Sequence, residues 1–107
     1  MTSFNDREKA YENRYAHDEE IRFKIASRRR KLLGLWVAEK IGLSDTDSLN
    51  YAMELVLYGI DDTTPGAVIN KIVTDSVVKG KALAETEVRK KNNELEVIAT
   101  RQIIESK

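Results

Sequence analysis

The fold class is decided by residues 43–80, LSDTDSLNYAMELVLYGIDDTTPGAVINKIVTDSVVKG, which hold two helical patterns joined by a short polar turn. Ser44 is followed three residues later by Asp47, and this spacing indicates a helix N-cap. Apolar residues then recur at the helical intervals i, i+3, i+4, i+7 and i+8: Leu49, Ala52, Met53, Val56 and Leu57. These residues predict one buried face on a helix that ends at Gly59.

The second pattern in this stretch begins at Thr64 and Pro65, because a proline at the first helical position sacrifices no hydrogen bond. The following apolar stripe has intervals of three and four residues: Val68, Ile69, Ile72, Val73, Ser76 and Val77. Its many β-branched residues also suit a strand. A strand needs a period of two and a pairing partner, and the sequence offers neither, so we predict a helix.

Two further amphipathic patterns flank this stretch. The upstream helix has apolar positions that share one face and ends at Gly42: Ile21, Ile25, Leu32, Leu35 and Trp36. The downstream helix follows Gly80 with a similar set: Ala84, Val88, Leu95, Ile98, Ala99 and Ile103. Because short connections favour antiparallel neighbours, we predict an all-α protein, with a small four-helix bundle over residues 21–107.

Residues 1–20 differ from the rest because they contain no Val, Ile or Leu. A segment of this composition cannot build a core. Two features nevertheless favour a helix: Asn5 and Glu8 have the spacing of a capping box, and opposite charges lie at i, i+4 in Asp18–Arg22 and Glu20–Lys24. We therefore predict a mobile, intrinsically disordered extension that forms at most a nascent helix in the free protein. Its aromatic residues share one helical face suited to a partner: Phe4, Tyr11 and Tyr15.

The composition excludes several classes of protein. The 107 residues carry 18 basic and 18 acidic side chains, so no overall positive field attracts nucleic acid or an anionic membrane. One histidine and no cysteine leave no catalytic triad, thiolate site or multi-histidine metal site. We expect no enzyme activity, no metal and no cofactor. Without a signal sequence or a long apolar run, we expect a soluble, cytoplasmic protein.

The densest charge run is Arg28, Arg29, Arg30 and Lys31. Successive helical residues are about 100° apart, so these cations point in different directions, and we expect one of them to pack its stem beside the apolar stripe. The run is either an ordinary solvated face or a contact for phosphate or an acidic partner. Neither stacking aromatics nor a recognisable motif accompanies it, so DNA or RNA binding is not expected.

The sequence contains one histidine and one tryptophan. His17 precedes Asp18, Glu19 and Glu20, which favour its protonated form, so it is either a pH-sensitive hinge or simply exposed. Trp36 lies at the end of the apolar stripe and is expected to pack in the core.

The sequence resembles the zeta subunit family of alphaproteobacterial F-type ATP synthases. The resemblance covers most of the chain, is strongest over the first half, and rests on these residues: Asp6, Arg7, Glu8, Ala10, Glu12, Phe23, Lys24, Arg28, Arg29, Lys31, Leu32, Leu33, Gly34, Trp36, Ala38, Glu39, Gly42, Tyr51 and Ala52. Arg30 departs from the family pattern, which commonly has asparagine there, and makes the basic run heavier than usual.

This resemblance implies a bacterial, four-helix protein that inhibits ATP hydrolysis by the catalytic head of the synthase. The inhibitory element is then the N-terminal extension inserted at a catalytic subunit interface, and its implied contact residues are Phe4, Asp6, Arg7, Glu8, Ala10, Tyr11, Glu12, Arg14 and Tyr15. The implied location is cytoplasmic and peripheral on the inner membrane through the synthase, without membrane insertion. We expect a monomer when the protein is free.

Two other functions remain open at this stage. One is a small helical module that binds nucleic acid or phosphate through the run from Arg28 to Lys31, and the other is an adaptor that binds another protein there. Nucleotide binding is possible, but no motif supports it. A nucleic-acid module shows affinity that falls steeply with salt, whereas an inhibitor blocks ATP hydrolysis by the catalytic head.

Overall fold

A computed structural model describes residues 18–106 of the chain. Residues 18–106 form four helices: α1 (Glu19–Lys40), α2 (Asp45–Asp61), α3 (Ala67–Val78) and α4 (Glu85–Glu105). The predicted all-α class is confirmed, and the segment that could have been a strand is helical. Residues 1–17 of the expected N-terminal extension lie outside the described residues, and His17 is among them.

The first helix begins at Glu19 because Asp18 caps it. The Asp18 carboxylate accepts hydrogen bonds from the backbone amides of Glu20 and Ile21, at 3.0 and 3.2 Å. This cap satisfies amides that otherwise lack a partner. The predicted pairing of Asp18 with Arg22 is therefore wrong, and Arg22 contacts Glu19 instead at 3.5 Å.

The end of α1 and the start of α2 follow the caps that the sequence predicts, but the start of α3 does not. The Ser44 hydroxyl accepts a hydrogen bond from the Asp47 amide at 3.2 Å, and Gly42 follows α1 with a φ of 78°. Pro65, however, does not open α3. The amide of Thr64 donates to the Asp62 carboxylate at 3.0 Å, and this local turn delays the helix until Ala67.

The core forms where α1 lies between α2 and α4, while α3 closes the bundle by packing on α4 and α2. Its members are the buried apolar side chains Leu33, Val37, Ile41, Leu55, Ile69, Ile72, Val88 and Leu95. Gly34 allows the closest approach of α1 and α2, because a Cβ atom at this position would lie only 2.6 Å from the Cα of Ala52.

Ile21 is buried as predicted, but further along α1 the buried face is displaced by one position. Leu33 and Val37 are fully buried, whereas Leu32, Leu35 and Trp36 are only half-buried. The reason is that α1 contacts two helices on adjoining sides, so its buried surface is wider than one stripe. Trp36 still packs against the core, with the ammonium groups of Lys40 and Lys91 over its ring.

The predicted buried face of α2 is largely wrong. Ala52 and Leu55 are buried, but Leu49, Met53 and Leu57 are exposed. Two helical stripes compete on α2. The stripe that contains Ala52 faces α1, because the close approach at Gly34 leaves no room for a larger side chain at position 52. Two residues predicted for the core of other helices, Val77 and Ile98, are also exposed.

Gly59 lies inside α2 and does not end it, contrary to the sequence prediction. This glycine is buried beneath the side chain of Arg30, and a Cβ atom there would lie 2.3 Å from the Arg30 Cδ. The need for glycine at position 59 is therefore explained by the Arg30 side chain that lies against it, and not by a turn of the chain. Among the helices described, none has both the length and the apolar character that a membrane span requires.

Candidate functional site

The predicted N-terminal contact residues all lie outside the described part of the chain. These are Phe4, Asp6, Arg7, Glu8, Ala10, Tyr11, Glu12, Arg14 and Tyr15. Their role as a partner-binding surface therefore stays a prediction. What the structure does describe is the start of α1, from which this segment extends.

The four cations of the basic run point to different parts of the molecule. Arg28 donates a hydrogen bond to the Gln102 side chain at 3.0 Å, and Arg29 pairs with Glu96, so both contact α4. Lys31 is exposed, while Arg30 packs its stem against α2. The expectation that one cation lies beside the apolar stripe is confirmed. The run is therefore not a single basic patch.

Arg30 is the most unusual charged residue of the described chain, because it is only 8% exposed. Within residues 18–106, its Nε has no hydrogen-bond partner and its guanidinium takes part in no ion pair. Burial, together with the charge of Arg29, lowers the pKa of Arg30 from its ordinary value. A buried cation without a partner is costly, so this position calls for an explanation.

Arg29 and Arg30 line a pocket of about 270 Å³ together with the turn that leads into α3. Gly66, at the N-terminus of α3, borders this pocket with a φ of 81°, and no side chain among the described residues caps the helix. A helix N-terminus presents backbone amides and the positive end of the helix dipole. The pocket therefore combines two features that attract an anion with one carboxylate, that of Asp62, which opposes it. Sequence reasoning missed it, because the loop and Arg30 meet only through tertiary packing.

A second polar cluster joins α2 to α3. Lys71 contacts Glu54 at 2.7 Å and Asp75 at 3.0 Å, and the Tyr51 hydroxyl donates to Asp75 at 2.9 Å. Burial and the hydrogen bond to Asp75 raise the pKa of Tyr51. Burial alone would lower the pKa of Lys71, but its two carboxylate partners outweigh it and raise the value. All of these groups are satisfied by one another, so the cluster is structural.

An apolar surface runs along α2, next to its buried side. Its residues are Leu49, Met53, Leu57 and Ile60, which are 59%, 55%, 55% and 42% exposed. Phe23 of α1, 54% exposed, shares a groove with Met53. We call these five residues the α2 apolar face. In the sequence these residues form a helical stripe, and periodicity predicts that stripe to be core.

The chemistry of residues 18–106 provides no catalytic constellation. In this part of the chain no group of three or more His, Cys, Asp or Glu side chains is placed to hold a metal ion. The recognisable features are an anion-attracting pocket and an exposed apolar helix face, both of which suit binding. They define a small helical regulatory or interaction protein.

Comparison with known families identifies the chain further. The family model described as ATPase inhibitor subunit zeta matches residues 1–102, and the chain belongs to this family. The resemblance seen in the sequence is therefore confirmed. An inhibitor subunit family implies a regulatory, non-catalytic protein associated with ATP synthase.

A solved structure supports the fold independently. A protein determined by solution NMR is 34% identical to this chain, with a TM-score of 0.70. The match covers 81% of this chain and 99% of the other. No curated protein matches the sequence.

Proposed function

We propose that this protein inhibits ATP hydrolysis by the catalytic head of an F-type ATP synthase, through insertion of residues 1–20 at a catalytic subunit interface. The observation that carries the proposal is the family match, which begins at residue 1 and so includes the N-terminal segment as well as the bundle. The composition of the segment adds to it, because residues 1–20 are charged and aromatic but lack the aliphatic residues that a core requires.

The start of α1 suits this mechanism. A helix of 20 residues spans about 30 Å, which is enough to cross a subunit interface. Ordering such a segment costs about 1–2 kcal/mol per residue, and extension from an existing helix avoids the additional nucleation penalty. A continuous helix through Asp18 would lose the cap that now begins α1, at a cost of about 1 kcal/mol.

The aromatic side chains are the proposed anchors of the segment. Phe4, Tyr11 and Tyr15 share one helical face, and buried aromatic residues dominate the energies of most interfaces. The charged residues around them set the register and the encounter rate: Asp6, Arg7, Glu8, Glu12 and Arg14. Ala10 contributes a small side chain between the anchors.

Deletion of residues 2–17 tests the proposal. The full chain should inhibit steady-state ATP hydrolysis by the purified head, and the shortened chain should not. Because the deletion retains the Asp18 cap and the whole core, both proteins should melt at nearly the same temperature. A shortened protein that inhibits as strongly as the full chain would place the inhibitory surface on the bundle.

Single substitutions locate the anchors within the segment. Tyr11→Ala or Tyr15→Ala should weaken inhibition by about 2 kcal/mol, or roughly thirtyfold, whereas the control Lys9→Ala should cost less than about 1 kcal/mol. A competing explanation is that charge pairs, and not the aromatic side chains, supply the affinity. Inhibition titrations at low and high salt separate the two explanations. Full potency of both tyrosine variants, with a salt-sensitive loss in Glu8→Ala or Arg14→Ala, would assign the affinity to charge pairs.

A second candidate function is phosphate binding at the pocket beside Arg30. The supporting observation is that the buried Arg30, whose Nε has no hydrogen-bond partner within residues 18–106, borders the N-terminus of α3, which no side chain in this part of the chain caps. Titration with inorganic phosphate should shift the amide NMR signals of Gly66 and Ala67. Arg30→Gln should abolish the shifts, and Lys31→Gln, an exposed neighbour, should leave them unchanged. Equal shifts in wild type and Arg30→Gln would eliminate this function.

A further inference from the structure

The α2 apolar face is larger than a scattering of surface hydrophobic residues. Leu49, Met53, Leu57 and Ile60 lie at i, i+4, i+8 and i+11, so they form one continuous stripe along a helix. Phe23 widens the stripe at the groove between α1 and α2. Single exposed apolar residues are ordinary in a soluble protein, but a contiguous stripe on one helix marks an interaction surface.

Charges on the two edges of the face differ in sign. The groove of about 380 Å³ beside Phe23 and Met53 is bordered on the α1 side by Lys24, Arg28 and Lys31. Within residues 18–106, Lys31 takes part in no ion pair. The opposite edge, towards α3, carries Asp61 and the ion pair of Glu54 with Lys71. A helix that fits this face has an apolar stripe with carboxylates on the edge that meets α1.

The face also lies close to where the N-terminal segment leaves the bundle. Phe23 is four residues beyond Glu19, which corresponds to a rise of about 6 Å along α1. A partner that holds residues 1–17 is therefore brought near the Phe23 end of the face. Binding through a short connection makes the second contact effectively intramolecular, at a local concentration in the millimolar range.

We propose that the α2 apolar face is a second contact with the catalytic head, occupied by an amphipathic helix of a head subunit adjacent to the site that takes residues 1–17. This inference rests on the proposed function and adds a partner surface on the bundle itself. The apolar stripe holds the bundle against the head through burial, and the basic edge selects a helix that carries carboxylates. The face thus prolongs the residence of the inhibitor on the head.

The test uses the full chain with two matched double variants. Met53→Gln/Leu57→Gln alters the face, and Val77→Gln/Val97→Gln alters two residues elsewhere that are each 59% exposed. All four side chains are exposed, so both proteins should melt like the wild type. The face variant should require at least about tenfold more protein for half-inhibition of ATP hydrolysis, with faster dissociation from the immobilised head, while the control stays within about twofold.

A charge variant tests the preference for carboxylates. Lys31→Glu should weaken binding to the head by about threefold to tenfold at low salt and by less at high salt. Unchanged binding of Lys31→Glu at both salt concentrations would overturn the assigned chemistry of the partner helix.

The two proposals fail in distinguishable ways. If the wild type inhibits and the face variant inhibits equally well, the second contact is refuted and the proposed function stands. If the wild type binds the head without inhibiting it, and the face variant loses that binding, the second contact stands and the proposed function fails. Sedimentation that shows a wild-type dimer abolished in the face variant would overturn the inference in favour of self-association. NMR shifts in residues 1–17 of the free face variant would overturn it in favour of the chain's own segment.

Discussion

The closest approach between α1 and α2 predicts unequal effects for two glycine substitutions. Gly34 and Gly59 both lie inside helices and are both buried. Replacement by alanine favours the helix by about 1 kcal/mol at either position. The difference between them is what the new methyl group meets, so the pair isolates the packing cost.

At Gly34 the added Cβ meets backbone. It would lie 2.6 Å from the Cα of Ala52 and 3.3 Å from the Ala52 nitrogen, whereas carbon atoms in contact lie about 3.5–4.0 Å apart. Backbone atoms cannot rotate away, so α1 and α2 must separate by about 1 Å. Overpacking of this kind costs about 1–3 kcal/mol. When the gain in helix propensity is subtracted from the upper value of this cost, the free energy of unfolding should fall by about 2 kcal/mol.

At Gly59 the added Cβ meets the flexible side chain of Arg30, at 2.3 Å from Cδ and 2.7 Å from the terminal nitrogen Nη1. Arg30 can swing into solvent, and this movement also releases its buried charge. Gly59→Ala should therefore lie within about 1 kcal/mol of the wild type, on the stabilising side.

Thermal and urea unfolding, followed by circular dichroism and by the fluorescence of Trp36, measure both effects. For a domain of this size the melting temperature of Gly34→Ala should fall by about 8–16 °C. Addition of Ala52→Gly should restore little, because the closest contact is with the Ala52 backbone. A Gly34→Ala protein as stable as the wild type, or a Gly59→Ala protein that loses 2 kcal/mol, would refute the packing argument.

Three other predictions concern stability. Arg30→Met should raise the free energy of unfolding by about 1 kcal/mol, measured in urea, because it removes a buried charged side chain whose Nε has no hydrogen-bond partner among residues 18–106. The pKa values of Tyr51 and Lys71 are raised, so the folded protein holds these protons more tightly than the unfolded chain. The free energy of unfolding should therefore fall as the pH rises above about 10. Tyr51→Phe should reduce this fall, as measured by urea titrations at successive pH values. Leu55→Ala should cost about 2–5 kcal/mol in thermal unfolding, whereas Leu57→Ala should cost less than about 1 kcal/mol, since only the first side chain is buried.

The helices themselves were predictable from local signals. Ser44 and Asp47 gave the start of α2, and Gly42 and Gly80 marked the ends of α1 and α3, because caps and left-handed glycines act within a few residues of chain. The intervals of three and four residues in residues 67–78 predicted a helix correctly despite their β-branched composition. The exclusion of a thiolate site needed only the composition.

The choice of buried face could not be predicted from the same signals. Helix α2 carries two apolar stripes at helical spacing, and periodicity alone assigns the larger side chains, Leu49, Met53 and Leu57, to the core. The structure buries the stripe of Ala52 and Leu55, because Ala52 is small enough to lie against Gly34 of α1. This outcome leaves the larger side chains on the surface, where they form the α2 apolar face.

The same contrast between local signals and tertiary packing applies to the candidate sites. The sequence by itself determined an all-α chain with a short polar turn after α2, a basic run on α1 and an N-terminal segment too poor in aliphatic residues to form a core. Only the tertiary structure decided that Arg30 lies buried over Gly59 beside the start of α3, while its neighbours Arg28 and Arg29 contact α4. Spacing along one helix gives the angle between side chains, but the helix that each side chain meets depends on how closely the backbones can pack.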